Sequence, residues 1–198
     1  MKPNIRRLIT LAATTGLLTV LPFAGHAQSP APQFAKIFGD HAVLQRDQPA
    51  RVWGTGAANA SLTVTIANQS VTATAGADGK WKATLPALKA GGPYSLTVSD
   101  GQATTMLNDI LIGDVYLCGG QSNMEFPARR AAGAWGEIDA SANPNLRFVN
   151  IDKDSAAAPR DDLKTAPVWQ LAGPETTGDA SAVCYYMSKA LQQEHKVP

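Results

Sequence analysis

The sequence has almost no net charge, no internal repeat and no low-complexity tract. Its 198 residues carry 17 Lys and Arg against 16 Asp and Glu, a formal net charge of +1, and the basic residues are scattered. A chain whose charges balance in this way has no strong electrostatic field of one sign, so it is not expected to bind nucleic acid or a membrane surface. Val, Ile, Leu and aromatic residues are frequent enough for a packed core, so the composition favours a folded protein over a disordered one.

Cysteine is scarce as well, with only Cys118 and Cys184. Two cysteines do not make a disulfide framework, and neither has metal-ligand spacing around it, so we predict no metal site. An exported chain can form disulfides. The favoured interpretation is nevertheless two buried thiols that act as small hydrophobic side chains, and whether they pair is left open.

The long apolar run of this sequence lies at its start. Lys2, Arg6 and Arg7 precede an apolar stretch over 8–21, and small residues follow up to Ala27. This pattern predicts a signal peptide over 1–27, cleaved after Ala27, rather than a membrane anchor. Residues 28–33 read as a linker. We therefore expect export to the periplasm or the extracellular space, without stable membrane association after cleavage.

The stretch from 34 to 108 has the pattern of strands and turns. Leu62, Val64 and Ile66 alternate with Thr63 and Thr65, a period of two that predicts a half-buried strand. Further predicted strands lie in "ARVWGTG" and over 94–98. Turn signals stand at 68–69, 78–79 and 100–101, and the Asp-Gly pair at 78–79 suggests a hairpin. Short strands with regular turns predict a β-sandwich domain over 34–108.

The pattern changes from 109 onward. "ILIGDVYLC" (110–118) is apolar without alternation, which favours a strand in a covered, mostly parallel sheet. A second strand is predicted over 146–151. A helix is predicted over 181–196, capped by Ser181 or Asp179, with an apolar face at Val183, Tyr186, Met187, Ala190 and Leu191. Two strands and one helix do not close such a core. Residues 109–198 are therefore predicted to be the first part of an α/β domain.

"GGQSN" (119–123) follows the predicted strand of 110–118. In open α/β sheets ligands bind beyond the carboxyl ends of strands, and Gly119 and Gly120 allow positive φ and a close approach to substrate. Ser122 is thus a candidate nucleophile, which would need a general base. Gly, Ser and Asn are also common in ordinary turns, so turn formation alone also explains their presence here. Asp114 is expected to tie down the loop by accepting backbone N–H bonds.

At these residues the chain resembles a known family. "IGDVYLCGGQSNMEFP" (112–127) resembles the nucleophile block of sialate O-acetylesterases, within the SGNH-hydrolase superfamily. Similar likenesses run through "FGDHAVLQRDQPARVWGTG" (38–56), "DGKWKATLPALKAGGPYSLTV" (78–98) and "VWQLAGPETTGDASAVCYYMSKALQQEHKVP" (168–198). The resemblance implies an N-terminal β-sandwich followed by an incomplete SGNH-type, flavodoxin-like parallel-sheet domain.

The resemblance also implies a function and a set of site residues. Ser122 matches the catalytic nucleophile, and its backbone N–H would donate to the oxyanion. Gly120, Gln121 and Asn123 would shape this loop, and Gln121, Asn123 and Glu125 are candidates for substrate contact, with a solvated loop carboxylate as an equally favoured interpretation of Glu125. The implied activity is hydrolysis of acetyl esters on sugars through a Ser acyl-enzyme, with an acetylated sugar as partner and no cofactor.

The family's catalytic His, preceded three residues earlier by Asp, has no match in this chain. The histidines are His26, His41 and His195; His41 reads as a turn or packing residue and His195 as a helix-end residue. We therefore expect the downstream part of the hydrolase domain to be needed for activity. Two alternatives remain open: a pseudoenzyme fragment, and a non-catalytic carbohydrate-binding β-sandwich in which Trp53, Trp81 or Tyr94 stacks on sugars, although core packing is the favoured interpretation of these three aromatic residues.

Overall fold

The computed structural model describes residues 29–198, so the predicted signal peptide lies outside the described residues. The first eight strands occupy the region up to Gly113. In chain order they are β1 (Gln33–Phe34), β2 (Val43–Gln45), β3 (Ala50–Thr55), β4 (Ser61–Ile66), β5 (Gln69–Thr74), β6 (Lys80–Leu85), β7 (Gly91–Ser99) and β8 (Thr104–Gly113). They form an antiparallel sheet in the order β1-β3-β6 and a mixed sheet in the order β2-β8-β7-β4-β5.

The two sheets share one hydrophobic core. Alternate residues of the strands point into it, as the period-two pattern predicts: Leu62, Val64 and Ile66 of β4 are fully buried. From the three-stranded sheet, Val52 of β3 and Trp81 of β6 enter the same cluster. The strands at 50–55 and 91–99 also lie where the sequence predicts them, so this region folds as the alternation indicates.

The turn signals correctly predict turns, but the hairpin predicted at 78–79 is wrong. Ala67 and Asn68 adopt positive φ and close an antiparallel β4–β5 hairpin. Asp78 and Gly79 also form a turn, yet β5 pairs with β4 whereas β6 pairs with β3. This Asp-Gly turn therefore carries the chain from one sheet to the other, because each strand finds its partner elsewhere in the sequence.

The apolar stretch 110–118 is divided by the structure. Residues 110–113 are buried and end β8, which pairs antiparallel with β7 and parallel with β2. Residues 114–118 belong to no strand and are mostly exposed. The predicted strand is thus too long at its C-terminal end. Strand β8 also runs across position 108, and the division into domains at that position stays a prediction.

The remaining elements are short, apart from one helix. They are α1 (Ser122–Glu125), α2 (Ala134–Asp139), β9 (Asn143–Val149), β10 (Trp169–Ala172) and α3 (Ala182–His195). Strand β9 overlaps the predicted strand at 146–151, but it pairs antiparallel with β10 rather than parallel. The segment that joins them, 150–168, holds no helix, and a parallel pair requires a crossover, usually helical. At the coarser level the described chain is a mixed α/β structure in which sheets predominate.

Helix α3 forms where the sequence predicts it, with Ser181 as its N-cap. The predicted apolar face is not the buried one. Val183, Tyr186 and Met187 are exposed, whereas Ala182 and Tyr185 are buried. The reason is that the helix packs through Tyr185 on a small cluster with Leu146, Ala172 and Ala180. Its predicted apolar face points away from that cluster.

Candidate active site

The chain reaches Ser122 through an irregular segment that is fixed at its start. The Asp114 N–H donates to the Pro198 carbonyl over 2.8 Å, and the Val115 N–H donates to Gln45 Oε1 over 2.9 Å. The Asp114 carboxylate accepts two hydrogen bonds from Arg46, from Nε over 2.8 Å and from Nη2 over 3.1 Å. Asp114 thus has the structural role expected of it, but its carboxylate binds a guanidinium rather than backbone N–H groups of the loop.

The Arg46–Asp114 pair changes the titration of the carboxylate. The hydrogen bonds from Arg46 lower the pKa of Asp114, and the charge of Arg46 acts in the same direction against partial burial. A bidentate guanidinium–carboxylate pair of this kind is stronger than neutral hydrogen bonds. The pair anchors the end of β8. From there residues 114–121, called the Ser122 segment below, lead to Ser122.

A disulfide between Cys118 and Cys184 fixes the middle of the segment. The interpretation of both cysteines as buried free thiols is therefore wrong. Their Cα atoms lie 6.3 Å apart although 66 residues separate them in sequence, a spacing within the usual range for a disulfide. The bond joins the segment before Ser122 to the first turn of α3. The rest of the segment is open, since Leu117 is 94% exposed.

Ser122 begins the single turn of helix α1. The Gln121 carbonyl accepts the N–H groups of Met124 over 2.9 Å and Glu125 over 3.1 Å. The first N–H groups of any helix lack intrahelical acceptors, so the backbone at Ser122 and Asn123 presents donors. Ser122 itself is exposed, and among residues 29–198 no hydrogen bond engages its hydroxyl. The hydroxyl is therefore accessible rather than packed in an interior.

The two glycines before Ser122 act differently from what the sequence suggests. Neither Gly119 nor Gly120 has positive φ. At Gly120 a side chain would press on Met124, with a Cβ placed there lying 2.5 Å from its Cγ, whereas a Cβ at Gly119 would meet no atom of the described residues within 4 Å. The turn thus needs a small residue at Gly120, because Met124 folds back over it.

The other predicted site residues surround Ser122 on the surface. Gln121 and Asn123 are exposed on either side of it. Glu125, at the end of α1, forms an ion pair with Lys153 over 2.5 Å. These contacts fix where the residues lie, and their roles stay predictions.

No histidine meets Ser122 within the described residues. His41 Nδ1 lies 2.6 Å from Asp109 Oδ2, and Asp109 in turn accepts a hydrogen bond from Arg147 over 2.9 Å. His195 lies in the last turn of α3. His41 is therefore part of a hydrogen-bonded cluster at a turn, in agreement with its expected structural role.

Sequence reasoning missed this cluster of His41, Asp109 and Arg147. Arg147 in β9 is almost fully buried, with 3% of its side chain exposed. It donates to the backbone carbonyls of His41 and Asp109 besides the Asp109 carboxylate. Burial alone would raise the pKa of Asp109, but the hydrogen bonds from His41 and Arg147 lower it. No local pattern signals the cluster, because its members come from distant parts of the chain.

A cavity of about 590 Å³ lies beside the Ser122 segment. The segment 114–118, strand β9 and helix α3 enclose it, and Met124 and Tyr185 are among its lining residues. Within residues 29–198 no group of three or more His, Cys, Asp or Glu side chains is arranged to hold a metal ion. Over the same residues, every helix is too short or too polar to cross a bilayer.

Comparisons with known proteins give a consistent result. No family model matches the chain. The sialate O-acetylesterase of Rattus norvegicus is 29% identical over 84% of this chain and 34% of its own length. The Homo sapiens protein of the same name is 26% identical over 92% of this chain and 38% of its own length.

A solved structure is similar as well. The crystal structure of a carbohydrate acetylesterase from Xanthomonas citri superposes with a TM-score of 0.81 at 38% identity, covering 84% of this chain and 38% of that chain. This chain spans about a third of the length of the curated relatives it matches. Over most of its length, therefore, the chain is similar to the sialate O-acetylesterases, and the coverage is consistent with a match to an N-terminal portion of those proteins.

Proposed function

We propose that this chain supplies the nucleophile of a carbohydrate O-acetylesterase of the sialate type. The observation that carries the proposal is the 38% identity to a carbohydrate acetylesterase structure at a TM-score of 0.81. The exposed hydroxyl of Ser122 at the start of α1 is consistent with it. The fold that goes with this function is a β-sandwich followed by the first part of an SGNH-type domain.

In this mechanism Ser122 Oγ attacks the acetyl carbonyl carbon while a general base accepts the hydroxyl proton. The backbone N–H of Ser122 stabilises the oxyanion of the tetrahedral intermediate. Collapse of that intermediate breaks the ester bond, and the sugar hydroxyl leaves with the proton from the base. Water, activated by the same base, then releases acetate and regenerates Ser122.

We assign the general base to hydrolase-domain sequence outside these 198 residues. Two observations support this: no His contacts Ser122 among residues 29–198, and the relatives are about three times as long as the matched region. Loss of a general base costs on the order of 10²–10⁴ in rate. The 198-residue chain alone is therefore expected to hydrolyse an aryl acetate barely above background.

Export is part of the proposal. The leader-like pattern over 1–27 and the Cys118–Cys184 disulfide support an oxidising compartment, the periplasm or the extracellular space. The acetylated sugar would be met there, with no nucleic acid, membrane or cofactor involved.

The test is active-site labelling. The 198-residue chain, and the same chain continued by downstream hydrolase-domain sequence, are treated with a fluorophosphonate and assayed on an aryl acetate. We expect labelling and turnover in the continued chain, both lost in Ser122→Ala but kept in the control Ser95→Ala, at an exposed serine of β7. Robust turnover by the 198 residues alone would contradict the assignment of the base. Turnover that survives Ser122→Ala would contradict the nucleophile.

A non-catalytic carbohydrate-binding protein is the second candidate function. The exposed ring of Trp53 favours it, whereas Trp81 is buried in the core and Tyr94 packs against it. Sugar binding without fluorophosphonate labelling of the continued chain would support this candidate over the esterase. The pseudoenzyme alternative predicts neither sugar binding nor fluorophosphonate labelling.

A further inference from the structure

A cleft of about 1020 Å³ lies between the N-terminal sheets and helix α1. Trp53 of β3 and Ile37 line one side, and the segment 151–165 lines the other. Glu125, the last residue of the helix that begins with Ser122, also lines it. Pockets for small molecules usually measure roughly 300–1,000 Å³, so this cleft has room for more than one sugar ring.

Trp53 is held in place although it faces outward. Its neighbours in β3, Val52 and Gly54, are buried, whereas Trp53 is 36% exposed on the outer face of the three-stranded sheet. Its ring meets that of Phe38 edge to face at a centroid distance of 4.8 Å. Phe38 contacts Phe34, and Phe34 contacts the buried Trp81. This row of aromatic rings runs from the core to the cleft and fixes Trp53 as a rigid, amphipathic surface.

The opposite side of the cleft is held over the sheet by ion pairs and hydrogen bonds. Lys80 pairs with Asp161 over 2.7 Å. The backbone N–H of Lys36 donates to the carboxylate of Asp162, and its ammonium donates to the carbonyls of Leu163 and Lys164. The segment is thus fastened to the β1 and β6 side of the sheet, which keeps the cleft open beside Trp53.

Charge in the cleft is biased toward carboxylates. Five acidic residues line it against three basic ones, namely Glu125, Asp152, Asp154, Asp161 and Asp162 against Lys153, Arg160 and Lys164. Three of the carboxylates are ion-paired, Glu125 with Lys153, Asp154 with Arg160 and Asp161 with Lys80, which leaves Asp152 and Asp162 against Lys164 as the lining charges outside any ion pair among the described residues. A ligand carboxylate would therefore meet like charges and little free positive charge, which opposes binding. Carboxylates instead accept hydrogen bonds from hydroxyl groups, so the lining suits an uncharged polyol.

We propose that this cleft is a subsite for uncharged sugar units of the glycan, with Trp53 as the stacking surface, next to the acetylated residue that Ser122 attacks. The choice of a sugar as ligand rests on the carbohydrate esterase function proposed above. The subsite discriminates against anionic sugars at this position, and it gives the N-terminal sheets a direct part in substrate selection.

Binding to the 198-residue chain tests the proposal without any need for turnover. Titration calorimetry with a panel of neutral β-linked hexasaccharides, and with a hexauronic acid, charged on every unit, as the anionic comparison, is carried out on the unmodified chain and on W53A, W53F and W135A. Trp135 lies in α2, is 68% exposed and does not line the cleft, so W135A controls for loss of a surface indole. Melting curves verify that each variant is folded.

The expected result is binding of at least one neutral hexasaccharide, weakened at least tenfold in W53A, little changed in W135A and largely kept in W53F. The hexauronic acid should bind more weakly than the neutral sugar, because every unit placed in the cleft would bring a carboxylate. Equal affinities of W53A and W135A for the sugar, or no binding of any neutral hexasaccharide, would overturn the subsite. Fluorophosphonate labelling of the continued chain reports on Ser122 separately, so sugar binding through Trp53 without labelling of the continued chain refutes the esterase and leaves the subsite standing.

Discussion

At the scale of single residues, the Arg46–Asp114 pair determines how the chain enters the Ser122 segment. Arg46 lies at the end of β2 and Asp114 at the end of the neighbouring strand β8, which runs parallel to it. Both side chains are largely shielded, with 29% and 19% exposed. The pair therefore fixes two strand ends to each other at the point where the chain leaves the sheet.

The pair predicts a specific dependence of stability on pH. Because Arg46 lowers the pKa of Asp114 in the folded state, the unfolded state binds more protons in acid. The stabilisation is then fully present above the ordinary Asp pKa of about 4 and is lost as the pH falls through the lower folded value. We expect Asp114→Asn to reduce the free energy of unfolding by about 1 kcal/mol at pH 7, and by less as the pH falls below about 4.

Urea unfolding at several pH values measures this difference. The matched control is Asp139→Asn, at an exposed carboxylate in α2, which should leave the free energy of unfolding unchanged throughout. If the difference between Asp114→Asn and the unmodified chain stays constant from pH 7 down to pH 3, the pair does not titrate as described.

At the scale of elements, the disulfide joins two pieces that otherwise share few contacts. Cys118 belongs to the irregular segment between β8 and α1, and Cys184 to the first turn of α3. No strand pairing holds residues 114–121. Beyond the hydrogen bonds at Asp114 and Val115, the covalent bond is therefore the main restraint on the backbone over 116–120 that leads into Ser122.

Removal of both sulfurs should loosen this restraint. We expect Cys118→Ser with Cys184→Ser to destabilise the chain by about 2–4 kcal/mol, because the bond closes a loop over the 66-residue separation. Thermal unfolding with and without reductant measures it. Reductant should lower the melting temperature of the unmodified chain to that of the double variant and leave the variant unaffected. An unmodified chain that melts at the same temperature in reductant would show that the bond contributes no stability.

The elements also show what the sequence can and cannot predict. Alternation over 61–66 predicts a strand correctly, because the local order of apolar and polar residues determines which face of the strand is buried. The Asp78-Gly79 turn was correctly predicted but its strand partners were not, since pairing depends on distant strands. The same holds for the cysteines. Both lie on the C-terminal side of the predicted domain boundary, and no local signal indicates that they form a disulfide across 66 residues.

The candidate site was predictable to a similar extent. The quoted "GGQSN" motif indicates an exposed serine after a turn, and Ser122 is exposed at the start of α1. The strand expected to end at Cys118 stops at Gly113 instead. Apolarity alone predicted that strand, but residues such as Leu117 find no covering layer among the described residues and remain exposed.

At the scale of the whole molecule, residues 29–198 contain two hydrophobic cores of unequal size. The core between the N-terminal sheets contains fourteen buried residues, whereas the cluster under α3 contains four. Apolar burial is the main source of stability, so the C-terminal region depends more on individual polar contacts. Arg147 provides one of these, because it links β9 to the β8 residue Asp109 and to the carbonyl of His41.

Loss of Arg147 should therefore loosen the C-terminal region selectively. In Arg147→Met the hydrogen bonds to Asp109 and His41 are lost while most of the apolar stem is kept. We expect the opening free energy of β9, β10 and α3 to fall by about 2 kcal/mol, which makes amide exchange roughly 30-fold faster there. Strands β4 and β7 should exchange at the unmodified rate, because their side chains lie in the larger core.

Hydrogen exchange followed by mass spectrometry resolves these segments, and Arg51→Met, at an exposed position of β3, is the matched control. Equal exchange of β9 in the two variants would mean that the smaller cluster holds without Arg147.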